Sequence, residues 1–217
     1  MSIALVSHTL GTPTGSGLCT TSNINTTGSN LIVAICATYQ GNLVNSMSDS
    51  KSNTWLSRPH QGTTGGGNVD TKLYYCINPT TDANHNFTGG ESGSGSCVAI
   101  LTFSGAGGGF DVDTGGYSAN LASPGSITPG VDNEVLIASF MTTSLNFPNA
   151  TGIGSSFTFL DTSASTGALS TAYQIQTTAT TRNPAWTGQT NSGFSNALLI
   201  ASFKISAPTT SGFFFLM

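Results

Sequence analysis

The chain has 217 residues, of which 37% are hydrophobic and only 6% are charged, whereas roughly 25% of the residues of an average soluble protein are charged. Five Lys and Arg against nine Asp and Glu give a net charge of −4, which excludes the basic stripe that nucleic-acid binding requires. The polar surface must therefore consist largely of Ser, Thr, Asn, Gln and Gly, which offer little charge repulsion between neighbouring copies.

The amino terminus predicts a strand and no export signal. The apolar stretch from Ile3 to Val6 is shorter than the core of a signal peptide, and no cationic residue precedes it, so we expect synthesis and folding in the cytoplasm. No apolar run approaches the roughly 20 residues of a membrane span, and no membrane partner is expected. A strand over residues 3–9 leads into a loop over residues 11–17, which Gly and Pro punctuate.

The rest of the first half predicts further strands separated by turns. Leu31 to Tyr39 (LIVAICATY) is a continuous apolar run of strand length, which is typical of a strand buried on both faces. Asp49 to Asn53 has the chemistry of a hairpin turn and leads to Trp55, which is expected to fill the core. The other strands expected in this half are residues 19–25, 71–78, 85–88 and 97–103.

The second half repeats the order of features of the first. Each half has an apolar strand, a strand with one large aromatic, a Tyr-x-Ile strand, an aromatic-Thr-Gly turn and a final apolar run. Tyr75 corresponds to Tyr173 and Phe103 to Phe203, and a period of about one hundred residues is too long for a propeller blade or a solenoid unit. The sequence therefore predicts two pseudo-repeated halves, about 1–104 and 105–207.

An all-β fold is expected, because no segment has a helical period and each half supplies four or five strands. We predict a single jelly-roll β-sandwich over residues 1–207, in which each half contributes strands to both sheets. Two small sandwiches in series are the alternative, which the short joint at 105–109 disfavours. The core residues expected between the sheets are Trp55, Tyr75, Phe103, Phe157, Tyr173, Trp186 and Phe203.

Residues 208–217 depart from the pattern of strands and form an apolar C-terminal tail. The linker-like segment before the terminus is followed by five large apolar residues, which would favour aggregation if they were left in water. We therefore expect the tail to bind a partner protein. The residues predicted to make this contact are Phe213, Phe214, Phe215, Leu216 and Met217.

Residue types that carry hydrolytic chemistry are sparse. None of His8, His60 and His85 lies in a nucleophile motif such as Gly-x-Ser-x-Gly, so we expect no catalytic residue, no enzymatic activity and no cofactor. Asp111 and Asp113 alternate along a strand and offer two oxygens to Ca²⁺. An ordinary exposed strand face is the favoured interpretation of this pair, and no metal site is expected.

The spacing of the cysteines fits neither a zinc site nor a dense disulfide framework. Cys19, Cys36, Cys76 and Cys97 contain no CxxC pair. Buried free thiols that act as small hydrophobic residues are the favoured interpretation. The even number of cysteines leaves a disulfide open.

Three tyrosines are candidate contacts for a surface glycan. Tyr39, Tyr74 and Tyr117 lie in or beside predicted loops, where an aromatic ring can serve as a platform for a sugar. A jelly roll is a frequent lectin scaffold, but the fold alone supports glycan binding only by analogy. The Thr-rich stretch from Thr177 to Thr181 lacks the regular Thr-x-Thr ladder of an ice-binding face.

Several segments together carry a resemblance to a known group of proteins. They are residues 25–33 (NTTGSNLIV), 48–55 (SDSKSNTW), 73–75 (LYY), 85–88 (HNFT) and 103–106 (FSGA). In these segments the chain resembles uncharacterised β-sandwich proteins encoded by tailed bacteriophages and in bacterial genomes, and the similarity covers most of its length. Ser52 stands where that group more often has Gly, and the group offers no catalytic residue that can be carried over.

The resemblance implies a structural protein of the virion, either a capsid decoration (cement) protein or a fibre or tail-surface component. We predict a decoration protein that is made in the host cytoplasm and docks on the major capsid protein, at the virion surface, as a symmetric oligomer, a homotrimer. A carbohydrate-binding or adhesion module, at a tail-fibre tip or on a cell surface, is the alternative.

Overall fold

The computed structural model describes residues 2–11, 17–39, 42–64, 68–92, 95–142, 150–163, 168–188 and 195–207. Within these ranges the chain is all-β, with strands paired antiparallel in several sheets and no helix, as the sequence predicted. The tail from Phe213 to Met217 lies outside the described residues, and its binding to a partner stays a prediction.

The first half of the chain forms one large sheet and one small sheet. Its strands are β1 (Ala4–Gly11), β2 (Cys19–Thr20), β3 (Leu31–Tyr39), β4 (Ser46–Asp49), β5 (Leu56–Ser57), β6 (Gln61–Gly62), β7 (Val69–Ile77), β8 (Phe87–Gly90) and β9 (Gly95–Ser104). The large sheet has the order β1-β9-β3-β7-β5, with β6 also paired to β7, and the small sheet has the order β2-β8-β4.

The second half forms another large sheet and a two-stranded ribbon. Its strands are β10 (Phe110–Ala119), β11 (Glu134–Thr142), β12 (Gly152–Ile153), β13 (Thr158–Thr162), β14 (Ala168–Gln176), β15 (Trp186–Thr187) and β16 (Ser195–Lys204). The large sheet has the order β10-β16-β11-β14-β13, and β12 pairs with β15.

The two large sheets pack face to face, and each has its other face covered by residues of its own half. On β3, Leu31 and Val33 belong to the core between the large sheets, whereas Ile32 and Ala34 belong to a second core beneath the small sheet. Trp186 on β15 and Phe140 on β11 belong to the equivalent outer core of the second half. Burial on both faces explains why the central strands are apolar at consecutive positions.

The expected exchange of strands between sheets is not found. Each large sheet takes its strands from one half only. The two sheets also have equivalent strand pairings: Leu31 pairs with Phe103 in the first sheet, and Val135 pairs with Phe203 in the second. The division of the chain into domains stays a prediction.

Two pairs of polar side chains join the large sheets at opposite edges. His8 Nδ1 on β1 lies 2.8 Å from Asp161 Oδ2 on β13, and the Arg58 guanidinium, directly after β5, donates two hydrogen bonds of 3.0 and 2.9 Å to Asp113 on β10. Both acidic residues thus lie on the edge strands of the second large sheet, Asp161 on β13 and Asp113 on β10. If two copies of the first large sheet packed together, Arg58 would lie near His8. If two copies of the second large sheet packed together, Asp113 would lie near Asp161. Because neither arrangement provides an acidic partner for a basic side chain, these pairs favour contact between unlike sheets.

Candidate functional site

The DSKSNTW segment folds around the carboxylate of Asp49, whose side chain is fully buried. Its Oδ1 accepts a hydrogen bond of 2.7 Å from the Lys51 amide, and its Oδ2 accepts one of 2.8 Å from Trp55 Nε1. His85 Nε2 lies 3.1 Å from Oδ1 without hydrogen-bond orientation, and its Nδ1 lies 3.0 Å from Thr26 Oγ1. This network ties the turn to the body of the first half.

His60 joins a second polar network at the edge of the first large sheet. Its Nδ1 lies 2.7 Å from Asp70 Oδ2, which also accepts a hydrogen bond of 2.8 Å from the Val44 amide, and its Nε2 lies 3.2 Å from Lys72 Nζ. Burial raises the pKa of Asp70, although the bond to His60 opposes this shift. With a proton on Nδ1, the ring donates to Asp70 and accepts from Lys72, so both nitrogens are engaged.

A third polar group lies at one end of the second large sheet. Asp111 accepts hydrogen bonds of 2.8 Å from Lys204 Nζ and 2.6 Å from the Gly130 amide. Glu134 is fully buried and accepts a bond of 3.3 Å from the Val131 amide. Burial raises the pKa of Glu134, and the negative charge of Asp111 adds to the shift. Burial works against ionisation of Asp111 too, but the donors from Lys204 and Gly130 outweigh it and lower the pKa of that carboxyl.

The two carboxylates considered for Ca²⁺ are each paired with a cation. Asp111 bonds to Lys204 and Asp113 to Arg58, so neither is a free oxygen ligand. No group of three or more His, Cys, Asp or Glu side chains within the described ranges is placed to hold a metal ion.

All four cysteines are buried thiols outside any disulfide, which confirms the interpretation of buried thiols. Burial raises the pKa of Cys97 to about 12 and raises the pKa of Cys36, which is entirely enclosed. A thiol that stays protonated in apolar surroundings is a poor nucleophile, so these residues act as packing residues.

A cavity of about 230 Å³ lies where β14 extends beyond its pairing with β13. It is lined by two glutamines, three threonines, Ile175 and Arg182, and we call it the Gln176 cavity. Gln174 and Gln176 project from the same face of β14, since they alternate along the strand. Arg182 Nε donates a hydrogen bond of 2.9 Å to Gln174 Oε1, and the Arg182 backbone pairs with Ile127. The guanidinium is therefore held at the cavity wall.

Gln176 is the more deeply buried of the two glutamines at this cavity, and the polar atoms of its amide are enclosed by protein. It is 4% exposed, and neither Nε2 nor Oε1 has a hydrogen-bond partner among the described residues. It lies directly opposite Glu134 in the register of β14 and β11. A buried amide of this kind costs folding free energy and calls for an explanation.

Two of the three tyrosines proposed as glycan contacts are buried, whereas a glycan contact at the half-buried Tyr117 stays a prediction. Tyr39 and Tyr74 are each 8% exposed within the cores, so their rings offer no free face to a sugar, and burial raises the pKa of Tyr74 to about 12. The Tyr117 hydroxyl donates a hydrogen bond of 2.6 Å to Asn68 Oδ1. Tyr39 on β3 and Tyr74 on β7 lie in strands that are packed on both faces, which the positions of the predicted loops in the sequence do not reveal.

The chain matches no protein-family model, no curated protein and no solved structure. In the part of the chain that the structure describes, no helix has the length and apolar character needed to cross a bilayer. The side chains described above therefore carry the functional argument.

The residues of the Gln176 cavity were missed by the sequence reasoning. The usable signal was the Tyr-Gln-Ile-Gln alternation at 173–176, which places two amides on one face of a strand that is otherwise apolar. Arg182 follows a Thr-rich turn and has no local motif that marks it. Only the pairing of β14 with β11 brings Gln176 beside Glu134.

A Glu134→Gln variant is expected to gain stability relative to the wild type as the pH rises. The folded-state pKa of Glu134 lies above its ordinary value of 4.5, so the folded wild type binds more protons than the unfolded chain, and its free energy of unfolding falls as the pH rises from 4.5 through the raised pKa. Glutamine has no proton to lose. Melting temperatures at pH 4 to 8 check this prediction.

Asp82→Asn is the control with the opposite sign. The hydrogen bond from Lys51 lowers the pKa of Asp82, so the stabilisation by that carboxylate is present above its ordinary value of 3.8 and is lost as the pH falls. A difference between wild type and Glu134→Gln that stays constant across the pH range would contradict the prediction.

Proposed function

We propose that this chain is a non-enzymatic structural protein of a bacteriophage virion, a capsid decoration protein that docks as a homotrimer on the major capsid protein. It is made in the host cytoplasm and resides at the virion surface. The resemblance of its segments to phage-encoded β-sandwich proteins supports this function, as does a polar surface built largely from hydroxyl and amide groups.

The proposal includes a duplicated fold, in which each half is one compact jelly-roll-like unit. In the first half, the order β1-β9-β3-β7 in the large sheet and β2-β8-β4 in the small sheet fits the strand pairing of two Greek keys. The second half keeps the same order in its large sheet and has the β12-β15 ribbon on the outside. This version of the duplication corresponds to two small sandwiches in series.

The pairing of the basic side chains is the observation that carries the docking mechanism. All five Lys and Arg residues of the chain lie in the described ranges, and each contacts a polar side chain of the same molecule. Because its basic side chains are paired within the molecule, the protein docks through neutral groups of its surface. Salt weakens contacts between neutral groups little. The pairs are Lys51 with Asp82, Arg58 with Asp113, Lys72 with His60, Arg182 with Gln174 and Lys204 with Asp111.

Native mass tests the assembly. We expect light scattering to give a trimer at both about 0.1 M and about 1 M salt, because the contacts are not ionic. A matched chain that ends at Ser211 lacks the five terminal apolar residues and is expected to be monomeric. A full chain that is monomeric at both salt concentrations would contradict the oligomer.

Location needs a separate measurement. Antibodies against the chain are expected to label the capsids of virions of the phage that encodes it, at regular positions of the lattice. Label confined to tail fibres would favour the fibre alternative, and particles without label would exclude a virion protein.

A further inference from the structure

Lys204, Asp111 and Glu134 lie side by side on three adjacent strands of the second large sheet, β16, β10 and β11. Lys204 is directly opposite Glu134 in the register of β16 and β11, and its Nζ lies 2.8 Å from Asp111 Oδ1. The backbone amide of Lys204 donates a hydrogen bond of 2.8 Å to the Gly109 carbonyl, which fixes the backbone beside Asp111. The sheet itself therefore holds the lysine and the aspartate in contact.

Glu134 adds a buried proton donor to this ion pair. Its side chain is fully buried, and its Oε2 has no hydrogen-bond donor among the described residues. Burial raises the pKa of Glu134, and a hydrogen bond to Asp111 raises it further. The proton that the two carboxyls can share therefore resides on Glu134, which donates it towards Asp111. A positioned acid of this kind is what general acid catalysis requires.

The Gly130 amide polarises the same carboxyl from the other side. It donates a hydrogen bond of 2.6 Å to Asp111 Oδ2, whereas Lys204 contacts Oδ1. A donor at this position stabilises the negative charge that develops on a carbonyl oxygen when an amine attacks its carbon. The carboxyl of Asp111 thus has an amine, a proton donor and a stabilising amide around it.

We propose that Lys204 and Asp111 form an intramolecular amide bond, an isopeptide bond between side chains. The pair starts as ammonium and carboxylate, since the hydrogen bond to Asp111 raises the pKa of Lys204. Transfer of two ammonium protons to Oδ1, by way of Glu134, frees the amine to attack Asp111 Cγ. The Cγ–Oδ1 bond breaks, Oδ1 leaves as water, and Glu134 ends with the proton that it started with.

Contact within the fold is what makes this condensation favourable. Free ammonium and carboxylate groups do not condense in dilute solution, but groups that are held in a productive geometry react as if at about 10⁵–10⁸ M. The Lys204 side chain is 36% exposed, so the water that is released can leave. The bond joins β10 to β16, the first and last strands of the second half. The proposal goes beyond capsid docking and does not rest on it.

Intact mass spectrometry of the full chain tests the proposal. The wild type is expected to have the mass of its sequence less one water molecule, and a proteolytic digest is expected to contain a branched peptide that joins Asp111 to Lys204. Lys204→Arg keeps the positive charge but removes the attacking amine, so it is expected to have the full mass of its sequence. Its melting temperature is expected to be lower by roughly 10 °C, because it lacks a covalent link that closes a long loop.

Two further variants make the result specific. Glu134→Gln keeps the size of the side chain and removes the acidic proton, so it is expected to be isolated largely without the bond, since such catalysis is worth about 10²–10⁴-fold in rate. Lys51→Arg alters a second pair of Lys and Asp, in which Lys51 Nζ lies 2.9 Å from Asp82 Oδ2. This variant is expected to lose one water molecule, as the wild type does.

Two results would overturn the isopeptide bond. One is a wild-type chain with the full mass of its sequence, and the other is a loss of water that persists in Lys204→Arg, which would place the dehydration at another residue. A Glu134→Gln chain that is fully linked would overturn the role of Glu134. None of these results bears on the oligomeric state or the capsid location, so the isopeptide bond and the decoration function fail separately.

Discussion

Replacing Asp49 with alanine is expected to lower the free energy of unfolding by about 3–5 kcal/mol. The carboxylate is fully buried and accepts hydrogen bonds from the Lys51 amide and the Trp55 indole. Alanine leaves both donors without their acceptor. An uncompensated buried polar group costs more than the roughly 1 kcal/mol net value of one hydrogen bond, and here two donors lose their acceptor together.

Denaturant unfolding of a matched series measures this loss. Trp55→Phe removes only the indole donor and keeps an aromatic ring near Phe87, whose centroid is 6.2 Å from that of Trp55. We expect it to cost about 1–3 kcal/mol, the range for a bond to a charged acceptor. Asp82→Ala, in the partly exposed pair with Lys51, is expected to shift the midpoint least. An Asp49→Ala midpoint equal to that of the wild type would show that the network does not stabilise the fold.

The sequence indicated part of the Asp49 network and missed the rest. Turn chemistry at 49–53 was predicted together with a place for Trp55 between the two sheets, but Trp55 is only partly buried and packs against the outer core of the first half. The burial of the Asp49 carboxylate was not predictable, because the His85 ring that lies 3.1 Å from it comes from a distant segment. Asp in a turn is ordinarily explained by hydrogen bonds to the local backbone, so the sequence gives no sign that the Asp49 side chain is buried.

Strands were predictable where burial leaves a continuous pattern. Leu31 to Tyr39 was predicted and coincides with β3, because a strand packed on both faces must be apolar at every position. The arrangement of the strands into sheets was not predictable to the same degree. Period and length identify a strand, but they do not select its neighbours, so the expected sharing of strands between halves was wrong.

The Gln176 cavity shows the same limit at the level of side chains. Gln174 and Gln176 share a face by simple alternation, which the sequence reveals. Their environment depends on β11, β13 and the Ile127 to Arg182 pairing, and each of these contacts is distant along the chain.

Phe203→Ala is expected to cost about 3–5 kcal/mol, the usual range for removing a buried phenylalanine. Phe203 is fully buried between the large sheets, and its ring lies 5.3 Å from that of Tyr75 on the opposing sheet. At about 2–4 °C per kcal/mol for a chain of this size, the melting temperature is expected to fall by roughly 6–20 °C. Leu56→Ala, at a side chain that is 52% exposed, is the control and is expected to change it little.

Phe103→Ala is the matched variant in the other half, and the pair tests how the halves fold. Phe103 is also fully buried, and its ring lies 5.6 Å from that of Tyr173 on the opposing sheet. Because each phenylalanine contacts the sheet of the other half, either substitution weakens both halves. We therefore expect calorimetry to show one transition that moves as a whole in both variants. Two separate transitions, of which Phe203→Ala moves only one, would contradict this expectation and show that the halves unfold independently despite their shared core.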